Sequence, residues 1–132
     1  AGHVGILTSN VLVPDLAAAM DSVIVFHVTG IGEVTVAPSR DSMVLSSPST
    51  DLNYTLIELK GCPAGLIPVP LRRGKDCGVQ PGDSVQLMQR RGGEREVCVG
   101  KVASVTCPTV FYSAQANGVA EGGVVFQGFD AV

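Results

Sequence analysis

The sequence predicts an all-β protein: a single closed or partly open β-barrel over residues 1–132, made of two similar halves and carrying one or two short helices. Three observations lead there. Sixteen glycines and eight prolines punctuate short apolar, β-branched runs along the whole chain, the pattern of many strands and turns rather than long helices. The chain also repeats itself. Asp21-Ser22-Val23-Ile24-Val25 returns as Asp83-Ser84-Val85-Gln86-Leu87, and Glu33-Val34-Thr35-Val36 returns as Glu96-Val97-Cys98-Val99. Between the matched pieces lies a polar, glycine-containing gap that differs by one residue between copies. A repeat of this kind governs the architecture before any local motif does, and it divides the chain into halves of approximately 1–61 and 62–132. Lastly, only Asp15 to Met20 has the composition of a helix, with alanines behind a proline and an early aspartate.

The elements follow in order. Val4 to Val13 is β-branched and reads as one or two strands ending at Pro14. After the helical turn, Ser22 to Val28 is a strand, and Thr29-Gly30-Ile31-Gly32 turns it into Glu33–Val36. Ser42 to Leu45 is a strand followed by the Ser/Pro-rich loop Ser46–Thr50, the natural place for a mobile segment or a boundary between halves. Tyr54 to Lys60 alternates as a strand. Leu66 to Pro70 is extended, and Leu71 to Cys77 suits a short helical turn. Gln80-Pro81-Gly82-Asp83 makes a turn, Ser84 to Gln89 a strand, Arg91-Gly92-Gly93-Glu94 another turn, and Glu96 to Val105 a long strand. Val110–Ser113 and Gly123–Phe126 complete the set, joined by a loop rich in Gly, Ala and Asn.

At 132 residues and 45% apolar content the chain can fill one core. No apolar run approaches the ~18 residues of a membrane span, so no membrane partner is expected. The first residue is Ala1, with no signal or transit pattern after it; a trimmed chain, a mature chain and a piece of a polyprotein fit equally. Net charge is −3, unevenly spread. Between Arg72 and Lys101 seven basic residues face four acidic ones, a local balance of +3 that leaves −6 for the remainder. The cysteines (Cys62, Cys77, Cys98, Cys107) are too sparse for a disulfide scaffold. None forms C-x-x-C, and His3 and His27 are distant in sequence, so no metal site and no cofactor is expected. Reduced, mostly buried thiols in a cytoplasmic setting are the expectation, with Cys98 and Cys107 at least partly buried. Asn53-Tyr54-Thr55 is a formal glycosylation sequon.

Gly65, Pro70, Gly78-Val79 and Gly82-Asp83-x-Val85-x-Leu87 together form a spacing that resembles the core of AbrB-type swapped-hairpin proteins. More broadly it is similar to the cradle-loop barrels, which include double-psi barrels and translation-factor barrels. The likeness covers residues 65–87 and implies a two-fold barrel. The first copy keeps Pro14 and Asp21-Ser22-Val23 but lacks the glycine pair. Members bind DNA, RNA or proteins, and a few are enzymes, so the resemblance bears on fold rather than function.

Enzyme signatures are thin. Gly74-Lys75-Asp76 lacks the earlier glycine and the following Ser/Thr of a phosphate loop, and Gly30-Ile31-Gly32 precedes a strand, not a helix. Ser84 lacks the glycine that follows a protease nucleophile. Two hydrolase arrangements stay open: a Cys77 thiol activated by His27, and an Asp21/Asp83 carboxylate pair, although both aspartates are followed by Ser-Val where aspartic proteases need glycine. For nucleic acid, Arg72, Arg73, Lys75, Arg90, Arg91 and Arg95 supply charge, but no aromatic residue lies between Arg72 and Lys101 to stack a base. Those cations sit in two loops flanking one strand. A strand of ~7 residues at about 3.3 Å each separates its ends by more than 20 Å, which predicts two patches rather than one groove. The leading expectation is a non-enzymatic binding or assembly module for a protein partner, as a subunit of a complex, a viral accessory domain or a homo-oligomer. A nucleic-acid-binding domain is the alternative, and a small hydrolase the third.

Overall fold

The structure is a computed structural model that describes residues 3–71, 78–116, 123–128 and 130–131. It is all-β apart from one short helix, and every sheet is antiparallel. The chain divides into two compact units, Ala1–Pro68 and Val69–Val132. The helical turn expected up to Cys77 and residues 117–122 of the expected Gly/Ala/Asn-rich loop lie outside the described residues.

In the first unit, strand β1 (Val4–Thr8) leads through a turn to helix α1 (Leu16–Met20). Asp15 starts the helix because its Oδ1 accepts from the Ala18 amide at 2.9 Å, satisfying one of the amides that a helix N-terminus leaves open. The helix ends at Asp21, and just beyond it Ser22 donates Oγ to the Ala18 carbonyl at 2.7 Å. Strands β2 (Ile24–Val28) and β3 (Gly32–Val36) form a hairpin, with Ile24 opposite Val36 and Phe26 opposite Val34. Strands β4 (Val44–Ser47) and β5 (Tyr54–Leu59) join β1 in a three-stranded sheet of order β1-β5-β4. The fourth strand thus starts and ends two residues later than expected. Ser46 and Ser47 extend it instead of opening a loop, because buried Ser47 ties down the following turn by donating to Asp51 and accepting from the Leu52 amide. Ile6, Ile57 and Val44 stand in one cross-strand row, and Ile57 is almost wholly buried.

A polar knot closes this sheet at the Thr8 end. Thr55 is fully buried; its hydroxyl donates to the Val13 carbonyl at 2.6 Å and accepts from Asn10 Nδ2 at 3.1 Å. Asn10 Nδ2 also reaches the Pro14 carbonyl, and the Val11 amide is shared between Ser9 Oγ and Asn53 Oδ1. Asn53, with φ of 50°, takes the left-handed conformation that asparagine tolerates. Six residues of loop are thereby fastened to the start of β5. They include Val11 and Leu12, which remain exposed.

The second unit is one five-stranded sheet of order β10-β9-β6-β7-β8. Its strands are β6 (Ser84–Arg91), β7 (Glu94–Thr106), β8 (Thr109–Ala114), β9 (Val124–Gln127) and β10 (Asp130–Ala131). Gln80-Pro81-Gly82-Asp83 turns the chain into β6 with proline in the second position and Gly82 at φ 94°, the left-handed value that a type II turn requires in its third. The Gln80 amide and Gln127 Nε2 both donate to Asp83 Oδ2, at 2.9 and 2.8 Å. Gly92 and Gly93, both at positive φ, make the two-residue tip between β6 and β7. The strand runs on through Arg90 and Arg91, two residues beyond its expected end at Gln89, so that Arg91 belongs to the strand and not to the expected turn. Val79, Val85 and Val102 form the buried centre, with Val105, Val110 and Val125 packed against them.

The repeated segments form hairpins of the same register. Ile24↔Val36, Val25↔Thr35, Phe26↔Val34 and His27↔Glu33 correspond to Gln86↔Val99, Leu87↔Cys98, Met88↔Val97 and Gln89↔Glu96. The extra residue of the second gap is absorbed beyond these pairs. The buried side is reversed, however: Ile24, Phe26 and Val28 are the half-buried residues of β2, whereas Val85, Leu87 and Gln89 are buried in β6. Around the hairpins the pairings also differ among the described residues, since β6 is flanked by β9 and β7 while β2 pairs only with β3. Among the described residues no sheet closes on itself into a barrel.

Replacing Thr55 by Val removes a hydroxyl and leaves the Val13 carbonyl and the Asn10 amide short of a partner in a buried place. The expected loss of stability is about 1–3 kcal/mol, read as a lower denaturant midpoint with unchanged slope. The same change at exposed Thr35 is expected to fall within about 0.5 kcal/mol of zero.

Candidate binding face

The alternation of β6 and β7 sorts the second unit's side chains onto two faces. Val85, Leu87 and Gln89, with Cys98 and Val102 opposite, make the buried face. Gln86, Met88 and Arg90 point the other way, with their cross-strand partners Val99, Val97 and Arg95. On the far side of β6 the same face receives Phe126 opposite Gln86 and Val124 opposite Met88. The row Val124–Met88–Val97 therefore crosses three strands, and Phe126–Gln86–Val99 runs beside it.

This second face is open. Val97 is 49% exposed, Val99 68% and Val124 41%. Valine is common in strands because it packs well on a pleated surface, and here three of them meet water in neighbouring rows. Cations border the band at both ends: Arg90 and Arg95 towards the Gly92–Gly93 tip, and Lys101 opposite Ser84. On strands β6 to β9 this face carries no acidic residue. Glu94 and Glu96 belong to the opposite face, where Glu96 accepts from Gln89 Nε2 at 2.5 Å. Arg90 and Arg95 stand directly across from one another, an arrangement of like charges that costs stability. Arg90 turns aside to donate to the Gly93 carbonyl at 2.6 Å. Among the described residues neither arginine, nor Lys101, is in an ion pair.

Of the six cations singled out in the sequence, Arg90 and Arg95 are brought together on the open face. Arg91 alternates to the other side, opposite Glu94. Arg72, Arg73, Lys75 and the thiol candidate Cys77 lie outside the described residues. The other catalytic candidates behave as turn residues. The Asp83 carboxylate is occupied by the Gln80 amide and Gln127, and Asp21, in the first unit, is the residue at which α1 ends. Sequence reasoning missed Val97, Val99, Val124 and Lys101. The signal was present: burying Cys98 on an alternating strand sends both of its neighbours outward.

Among the described residues no group of histidine, cysteine or acidic side chains is arranged to hold a metal. No helix there is long and apolar enough to cross a membrane. Comparison with known protein families and with curated proteins returns no match.

Among the described residues, Cys62, Cys98 and Cys107 are in no disulfide. Cys98 is buried as expected. Cys107 is exposed, contrary to expectation, because it lies in the tight turn between β7 and β8 instead of inside the strand. A thiol reagent applied to the folded chain and read by peptide mass mapping is expected to modify Cys62 and Cys107 promptly. Cys98 should react only when denaturant opens the sheet.

Proposed function

We propose that the chain is a non-enzymatic binding or assembly module that recognises a protein partner through the open face of the second unit. The observation that carries this reading is the exposed band of Val97, Val99 and Val124 bordered by Arg90, Arg95 and Lys101 with no acid among them. An apolar centre with a charged rim is the anatomy of a protein interface. The repeat adds support. The counterparts of Val97 and Val99 are Val34 and Val36, both half-buried within the first unit, so the second copy leaves open a face that the first copy covers. The matching hairpin register likewise supports an internal repeat.

A nucleic-acid partner is the second reading. It draws on Phe126 and Phe111, aromatic residues that alternation brings to the face of Arg90 and Arg95, with Arg72, Arg73 and Lys75 as further cations. Aliphatic side chains outnumber aromatic ones in the band, which favours protein. A hydrolase using Cys77 or the Asp21/Asp83 pair has no comparable support.

The test is titration with a labelled peptide of alternating leucine and glutamate, beside a single-stranded RNA of equal charge. The peptide is expected to bind, weakening as salt rises, with the RNA much weaker. Reversing Arg90 and Arg95 to glutamate should slow peptide association roughly tenfold, while Arg91→Glu, on the opposite face, should change it far less. Tighter RNA binding at near-physiological salt would instead support the second reading.

A further inference from the structure

We infer that the partner of the open face is a second copy of this chain, which docks the loop of its first unit held by the Thr55 knot. The inference rests on the reading of that face as a protein-binding surface and adds what occupies it. The two surfaces complement each other in charge and share an apolar centre.

The first unit supplies the matching surface. Val11 is 59% exposed and Leu12 61%, and neither belongs to a floppy loop. The Val11 amide is gripped by Ser9 Oγ and Asn53 Oδ1, and the Leu12 and Val13 amides both close onto the Ser9 carbonyl. The Asn53 contact brings Leu52, 46% exposed, and its neighbour Asp51 to the same loop. On the other side the chain passes through Pro14, held by Asn10, into Asp15 and the exposed Leu16. Several hydrogen bonds thus hold a few apolar side chains out in water. The knot itself needs no exposed leucine or valine, whereas a docking surface gains from having its ordering entropy lost beforehand.

Charge selects the occupant. The first unit has two basic and six acidic residues, a net of −4, and the apolar loop is flanked by Asp15 and Asp51. On strands β6 to β9 the open face of the second unit offers Arg90, Arg95 and Lys101, with no acid among the described residues there. An acidic, apolar knob and a basic, apolar face are therefore both carried by every copy. The Arg90–Arg95 repulsion is relieved when a carboxylate approaches. Such a contact is heterologous: one surface of each copy meets a different surface of the next.

Sedimentation velocity at low ionic strength tests this. The unmodified chain is expected to show a weight-average mass that rises with concentration to at least twice the monomer value, and to return to monomer near 1 M salt, where charges are screened beyond about 3 Å. Val99→Asp on the face and Leu12→Lys on the knob, both at exposed positions and each checked for a native circular dichroism spectrum, should each give monomers. Mixed together, the two variants should form a one-to-one dimer and nothing larger, because one intact junction remains. A native chain that stays monomeric overturns the inference, and so does association that survives Leu12→Lys. If the monomeric chain still binds the leucine–glutamate peptide, the binding-face reading stands without self-association; if it does not, both fall.

Discussion

Two glycines at the tip of the β6–β7 hairpin decide which side chains of the second unit meet the core and which meet water. Gly92 and Gly93 allow positive φ at both positions of a two-residue turn, and that turn pins Arg91 opposite Glu94. Every pair further down the ladder follows from it. A slip of one residue would carry a whole strand's side chains to the other face, sending Cys98 and Val102 to water and Val97 and Val99 inward. The open face, its cations and the sorting of acids to the far side all descend from this register.

The same constraint explains why two stretches of similar sequence serve opposite purposes. Both hairpins keep the pairing of the repeat, but what surrounds them differs. In the first unit the chain near Gly65 packs against Val28 and Ile31, so a side chain at Gly65 would collide with them. In the second unit β9 lies beside β6, and the core gathers on the side of Val85 and Leu87. Shared register with reversed burial means that apolar pattern alone does not announce which face is inside.

Much of the fold was legible in the sequence and part was not, for identifiable reasons. Strong local signals worked: the Pro-Gly turn before Ser84, the Gly-Gly tip, the Asp-led helical turn and the alternating run from Tyr54 each occur where the chemistry demands them. Boundaries shifted where a polar side chain found a tertiary partner. Ser46 and Ser47 read as loop but sit in β4, because Ser47 is buried against Asp51 and Leu52. The candidate site was legible only in its charge. Arg90 and Arg95 were found as cations, while their separation from Arg91 depends on alternation in a strand two residues longer than expected. The Thr55 knot was invisible, since its contacts join residues more than forty positions apart.

Gly100 lies in the middle of β7 opposite Ala114, and β8 comes so near that a side chain there would run into the Ser113 carbonyl. Its neighbours Val99 and Lys101 stand free on the open face. For heredity this makes β7 a strand of alternating permission. Drift is barred at residue 100 by the backbone of the adjoining strand and at residues 98 and 102 by the core, while residues 97, 99 and 101 are physically free to change. Where the backbone imposes no veto, a lineage that nonetheless kept valine at 97 and 99 would be keeping it for something other than the fold.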